Sequence, residues 1–228
     1  MGSSPEERGS ATRRLRERYG LLLGAIVLTF AVQGIADPGP GEQIVVCALL
    51  GVTLLLALWA TDTQQRIVLP ATIFVVVVLV ASVVQALNGE IDGLATRAAN
   101  ALLVALAPPA IVVGVVRDLR ARETVTVQAV LGVLCVYLLI GMFFAFLYGA
   151  LGHLGGVPFF AGSQPSSVAS CLYYSFTTLS TVGYGDLTAR TNLGHTLSVS
   201  EALLGQIYLV TVVSLLVANL RRARRPPP

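Results

Sequence analysis

The sequence contains no lysine: all fifteen basic residues of its 228 are arginines. Charge of either sign is sparse, at 12% of residues, where an ordinary soluble domain carries roughly 25%. Cysteine is scarce as well. Cys47, Cys135 and Cys171 are odd in number, sit in apolar stretches and lack metal-ligand spacing, which argues against a disulfide framework or a zinc site and leaves them as small packing residues. No basic patch is interleaved with aromatics, so the pI near 9 does not describe a nucleic-acid-binding surface. No stretch is left over for a sizeable soluble domain.

What the chain does have is apolar length. Hydrophobic residues make up 55% of it, and the mean hydropathy is +0.78. A bilayer core of about 30 Å needs about 20 apolar residues per helical crossing. Six long apolar runs meet or approach that length, at 19–36, 43–60, 67–87, 95–116, 126–150 and 194–220. The first lacks a small-residue cleavage site before "DPGPGE" and is read as a retained helix rather than a signal peptide. The expected fold is therefore an all-α membrane protein with six transmembrane helices.

The arginines orient it. Thirteen fall in the N-terminal segment, after the second run (Arg66), after the fourth (Arg117, Arg120, Arg122) and in the tail. Only Arg97 and Arg190 fall on the other side. The positive-inside rule puts both termini in the cytoplasm of a multi-pass plasma-membrane protein. The absence of lysine beside abundant alanine, valine and arginine is the composition of a high-GC bacterium. The organisation expected is a cytoplasmic segment 1–18, four helices over 19–116, a cytoplasmic linker 117–125, a second membrane unit 126–220 and a tail 221–228. Within the fourth run, Pro108-Pro109 is expected to kink or divide the helix.

Between the fifth and sixth runs lies "YYSFTTLSTVGYGDLT", residues 173–188. The moderately apolar stretch from about Ser167 to Ser180 is too short for a crossing and suits a re-entrant helix capped by Ser166 or Ser167. Parity agrees, because a full crossing here would place "RRARR" outside. The "TVGYG" that follows is non-helical backbone at membrane depth, tolerated only where it is buried in protein or lines a watery path. Residues that alternate between right- and left-handed conformations can point all their carbonyls one way, and Gly183 and Gly185 are spaced for that alternation. Such a ribbon offers the carbonyls of Thr181, Val182, Gly183 and Tyr184 and the Thr181 hydroxyl, uncharged oxygens suited to a dehydrated monovalent cation. One loop supplies only a fraction of a coordination shell, so four copies are expected around an axis.

"TTLSTVGYGD" resembles the pore helix and selectivity filter of the potassium channel family, and the flanking helices extend the likeness over about 126–220. "GQIYLVTVV" is similar to the last helix of small bacterial six-helix potassium channels. The resemblance implies K+ ions as cargo, held at Thr181, Val182, Gly183, Tyr184 and Gly185. It implies Asp186 bracing the outer mouth, Tyr173 and Tyr174 in an aromatic cuff and Gly205 as the bend point of the inner helix. It further implies a homotetramer in a lipid bilayer, with no organic cofactor, no nucleic acid and no catalytic residues.

Several relatives carry a glutamate four residues before the filter threonine; here Thr177 stands there. Glu201 is instead the sole acid deep in an apolar run. One reading has it hydrogen-bonded behind the filter to Thr177, Ser180 or a backbone donor; the other has it reaching outward to water. A stripe of Gln206, Leu209, Val213 and Val217 either lines a wet cavity or packs as an ordinary helix face. Glu201 lies about 140° around the helix from Gln206, away from any such cavity. His153 and His195 are either external pH reporters or solvated bystanders.

The fourth run has no arginine between Arg97 and Arg117, so steep voltage gating is not expected. The tail "RRARRPPP" is too short for a ligand-binding domain. Three alternatives to a potassium channel stay open. A transporter would commonly show paired interrupted helices in two repeats, an intramembrane enzyme would need a nucleophile with its base or a metal cluster, and a weakly selective cation pore would share most of these features.

Overall fold

The computed structural model describes residues 5–35, 40–61, 65–87, 98–108, 111–113, 127–154, 157–162 and 164–223. The described residues form helices α1 (Pro5–Ile35), α2 (Pro40–Ala60), α3 (Gln65–Leu87), α4 (Val127–Leu154), α5 (Val168–Leu179) and α6 (Asn192–Ala223). Residues 98–108 and 111–113 are also helical, while Pro109 lies outside the described residues. Arg97, Arg117 and the linker 117–125 lie outside them too, as do the external turns 36–39 and 88–97. The one pairing of extended backbone among the described residues is an isolated antiparallel bridge between Phe160 and Ala189.

Among the described residues, three helices are long and apolar enough to cross a membrane, over Arg18–Ile35, Val68–Gln85 and Val130–Gly152. The apolar part of α2, Ile44–Ala60, falls just short of that length, and the helical residues 98–108 and 111–113 are shorter still. α1 starts well before the apolar run expected at residue 19. Its early residues include "PEER" and "RRLRER", rich in glutamate and arginine, which are strong helix formers. Hydropathy marks only the part of a helix that suits lipid, so an apolar run underestimates the helix.

α1 and α3 each hide one stripe and leave the rest exposed. On α1 the buried residues are Tyr19, Leu22, Ile26, Thr29 and Gln33, at alternating spacings of three and four. Leu21, Val27 and Leu28 on its other side are exposed, as are Val76, Val77 and Val80 of α3. The threonines among these apolar residues satisfy their hydroxyls locally: Thr29 donates to the Ala25 carbonyl at 2.7 Å, Thr53 to Leu49 at 2.8 Å and Thr72 to Val68 at 2.8 Å. At one end of the α1–α2 pair, the Arg18 guanidinium lies 4.2 Å from the centre of the Trp59 ring and donates to the Trp59 carbonyl at 3.4 Å. A cation on an indole is the pairing found where helices leave the hydrocarbon.

α2 packs between α1 and α3, and α1 also packs directly on α4 and α5. The α1–α5 contact centres on Phe30, whose ring meets Phe176 edge-on at 4.9 Å and 75°. Phe176 in turn fills the space that Gly141 of α4 leaves open, since a Cβ there would fall 2.7 Å from the ring. The first helix is thus a wall of the same core that holds the short helix α5. Phe30→Ala should remove an aromatic pair worth about 1 kcal/mol beyond its buried area. We expect the variant to melt a few degrees lower in detergent, and Phe30→Leu to lose less.

Candidate functional site

α5 has 12 residues, about 18 Å of helix, and cannot span a hydrocarbon layer of about 30 Å. Ser167 is its N-cap: the backbone is extended there and Oγ accepts from the Ser170 N–H at 3.1 Å. Ser166, the other residue expected as a cap, accepts from the Phe159 N–H at 3.3 Å instead. The segments that enter and leave this helix are tied to each other. Ala161 N–H donates to Thr188 O and Arg190 N–H to Phe159 O, both at 2.9 Å. The Arg190 side chain adds bonds to the carbonyls of Phe160 at 3.2 Å and Gly162 at 3.0 Å. Chain that goes in beside the chain that comes out has returned to the side it entered, which is the geometry of a re-entrant loop.

The ribbon after α5 alternates in handedness. Thr181, Gly183 and Gly185 have φ of 58°, 52° and 80°, and no other non-glycine residue described has a positive φ. For the two glycines this backbone is cheap; for β-branched Thr181 it is not, and strain of this kind costs on the order of 1–3 kcal/mol. Several bonds hold Thr181 in place. Its N–H donates to Thr178 O at 2.9 Å, its hydroxyl donates to Ser180 O at 2.7 Å, and the Gln206 amide donates to that hydroxyl at 3.1 Å. Gly183 N–H donates to Thr177 O at 3.0 Å, so the ribbon starts folded against the C-terminal end of α5.

Among the described residues, the carbonyls of Thr181, Val182, Gly183 and Tyr184 accept no hydrogen bond. Their residues are exposed, Val182 by 53% and Tyr184 by 70%. Four successive bare carbonyls between the long helices α4 and α6 require a polar companion.

The two tyrosines expected in one cuff part company. Tyr173 stacks in parallel on Tyr184, at 6.3 Å and 4°, and its hydroxyl faces the Asp186 carboxylate. Tyr174 turns inward, bonds Ser198 of α6 through its hydroxyl at 2.7 Å and packs edge-on against Tyr148, Phe159 and Phe160.

Glu201 is fully buried, which removes the reading in which it reaches water. Its partners are not those expected. Thr177 donates to Tyr174 O at 3.0 Å and Ser180 to Phe176 O at 2.5 Å, each back-bonded within its own helix. Glu201 instead receives the Tyr148 hydroxyl of α4 on Oε2 at 2.6 Å and meets the Ser175 hydroxyl of α5 at Oε1. Ser175 also donates to the Gly141 carbonyl at 2.7 Å.

Tyr148, Ser175 and Gly141 were not singled out from sequence. Ser175 left a trace there: with Cys171, Leu172, Tyr174 and Leu179 it belongs to the buried side of α5, and a small hydroxyl on an apolar face needs a partner.

Gly205 also sits at this junction. α6 runs unbroken through it, and the missing side chain lets the Leu179 backbone carbonyl, at the end of α5, press against the helix. Gln206 and Leu209 are exposed on the other side of α6, while the side chains of Val213 and Val217 lie outside the described ones. So does that of His153, whereas the His195 ring nitrogen Nε2 lies 2.7 Å from the Ala189 carbonyl, inside the outer loop.

A comparison with curated proteins gave no match to the chain. The family model described as "Ion channel" matches residues 132–222, a span that takes in most of α4, the whole re-entrant segment and nearly all of α6. The short helix held between two long ones, with the bare-carbonyl ribbon at its end, lies wholly inside that span, so the re-entrant part of this membrane protein is the part that matches the ion channel family.

Proposed function

We propose that four copies of the chain form a potassium-selective pore that passes K+ down its gradient without covalent chemistry. The observation that carries this reading is the ribbon: left-handed backbone at Thr181, Gly183 and Gly185 with unpaired carbonyls from Thr181 to Tyr184. Alternating handedness turns successive carbonyls to one side, and a ring of neutral oxygen dipoles replaces the hydration shell of a monovalent cation. K+ is the substrate of this path, and Gly185 closes its outer end. Asp186, Tyr173, Tyr174 and Thr177 support the ribbon, Glu201 holds α5 from behind, and Gly205 is the bend point of α6 when the path opens. Gln206, Leu209, Val213 and Val217 line the cavity below.

The exposed apolar side chains Leu203, Leu204, Ile207 and Val210 of α6 are covered in this arrangement by neighbouring copies or by lipid. The remaining helices complete six crossings of the plasma membrane with both termini in the cytoplasm. The fourth, uncharged between Arg97 and Arg117, gives little voltage dependence.

The test is the reversal potential of purified protein in a planar bilayer under opposed potassium and sodium gradients. A value near the potassium equilibrium is expected. A value midway between the two equilibria would replace this reading with a weakly selective cation pore. Absence of current with stoichiometric substrate uptake would replace it with a transporter.

A further inference from the structure

We infer that Glu201 is held as a neutral carboxylic acid, donor and acceptor at once, and in that form positions α5 between α4 and α6. The inference follows from counting hydrogens. Three oxygen–oxygen contacts run in series: Tyr148 Oη to Glu201 Oε2, Glu201 Oε1 to Ser175 Oγ, and Ser175 Oγ to the Gly141 carbonyl. Tyr148 and Ser175 bring one hydroxyl hydrogen each, and the Gly141 carbonyl can only accept. The serine hydrogen therefore belongs to the Gly141 contact and the tyrosine hydrogen to Oε2. The contact between Oε1 and Ser175 Oγ then has a hydrogen only if the carboxyl supplies it.

An ionised Glu201 would leave one of the three contacts as bare oxygen against oxygen. It would also leave a buried negative charge with no arginine or histidine bonded to it among the described residues, an arrangement proteins avoid. With the carboxyl protonated, the series reads Tyr148 to Glu201 to Ser175 to Gly141, each contact carrying one hydrogen. Tyr148, Ser175 and Glu201 are all fully buried, so no water is needed to complete it.

Each of the three helices contributes a member. α4 supplies Tyr148 and the Gly141 carbonyl, α5 supplies Ser175 and α6 supplies Glu201. Ser175 lies five residues, one and a half turns, before Ser180, where the ribbon begins, so the clamp sets where α5 ends. Its effect on ion selection rests on the pore reading above; the protonation of Glu201 does not.

The experiment is infrared spectroscopy on the full chain in lipid vesicles at neutral pH, with and without carboxyl-13C glutamate, beside thermal melting of the same samples. We expect a protonated-carboxyl C=O band that shifts with the isotope and is absent from Glu201→Gln. The amide of that variant can repeat the series, accepting from Tyr148 and donating to Ser175, so it should melt within a few degrees of the parent. Glu201→Ala leaves the Tyr148 hydroxyl without its acceptor and the Ser175 oxygen without its donor and should melt lower, on the order of 5 °C. Absence of the band overturns the neutral acid whatever the channel conducts. A Gln variant as unstable as the Ala variant overturns the donor-and-acceptor clamp. Loss of potassium selectivity in the parent protein, with the band present, would strike the pore reading alone.

Discussion

Gly183→Ala abolishes discrimination of potassium from sodium while leaving the surrounding helices folded: this is the result we expect. No atom lies within 4 Å of the point where a Cβ at residue 183 would sit. The substitution therefore creates no clash within the chain, and its cost is conformational. At φ of 52° an L-alanine is disfavoured by about 1–2 kcal/mol relative to the right-handed region. In the tetramer proposed here the penalty enters four times around one axis.

The ribbon can relieve it by swinging φ negative, which turns a carbonyl out of line and opens the path to hydrated ions. The reversal potential should then move from near the potassium equilibrium to midway between the two. D-alanine at the same position takes positive φ without penalty and should restore selectivity. If L-alanine leaves the reversal potential unchanged, the left-handed ribbon is not what selects the ion.

The second large effect is expected at Gly205. A Cβ there would collide with the Leu179 backbone carbonyl and come within 2.9 Å of Leu179 Cδ1. The side-chain carbon can move, but the carbonyl at the end of α5 cannot move without displacing Ser180 and Thr181. Gly205→Ala therefore pushes α6 away from α5 and strains the bond from Gln206, the next residue, to Thr181. Overpacking of this kind costs about 1–3 kcal/mol.

A drop in melting temperature of several degrees, with less assembled protein on size exclusion, is the expected outcome. Gly24→Ala on α1, where nothing lies within 4 Å, is the control and should be neutral or mildly stabilising. A Gly205→Ala variant as stable as that control but altered in conduction would mean that the residue acts only as a bend.

These two glycines differ in how legible they are. Gly183 and Gly185 announce themselves by their spacing, because a two-residue alternation of handedness is a local property that neighbouring residues specify. Thr181 extends the alternation, and nothing in its identity says so. A β-branched residue enters the left-handed region only because Thr178, Ser180 and Gln206 hold it there. Gly205 looked like a flexible point in a helix. The carbonyl it accommodates comes from residue 179, a contact that no reading of its neighbours reaches.

The same division runs through the rest of the protein. Apolar length, the placement of fifteen arginines, the short run after residue 166 and the serine cap follow from composition and from interactions within a few residues. These mark out the helices and the re-entrant segment. The partners of Glu201 do not follow, since Tyr148 is 53 positions away and Ser175 26, and Thr177 and Ser180 were equally plausible donors until their own helix carbonyls claimed them. Nor does the seating of α1 against α5, which turns on an aromatic at residue 30 meeting one at residue 176 over a glycine at 141. Hydrogen-bonding groups in an apolar interior take whatever partner the packing brings within 3 Å. Chain identity states the need for a partner, and the approach of distant helices supplies it.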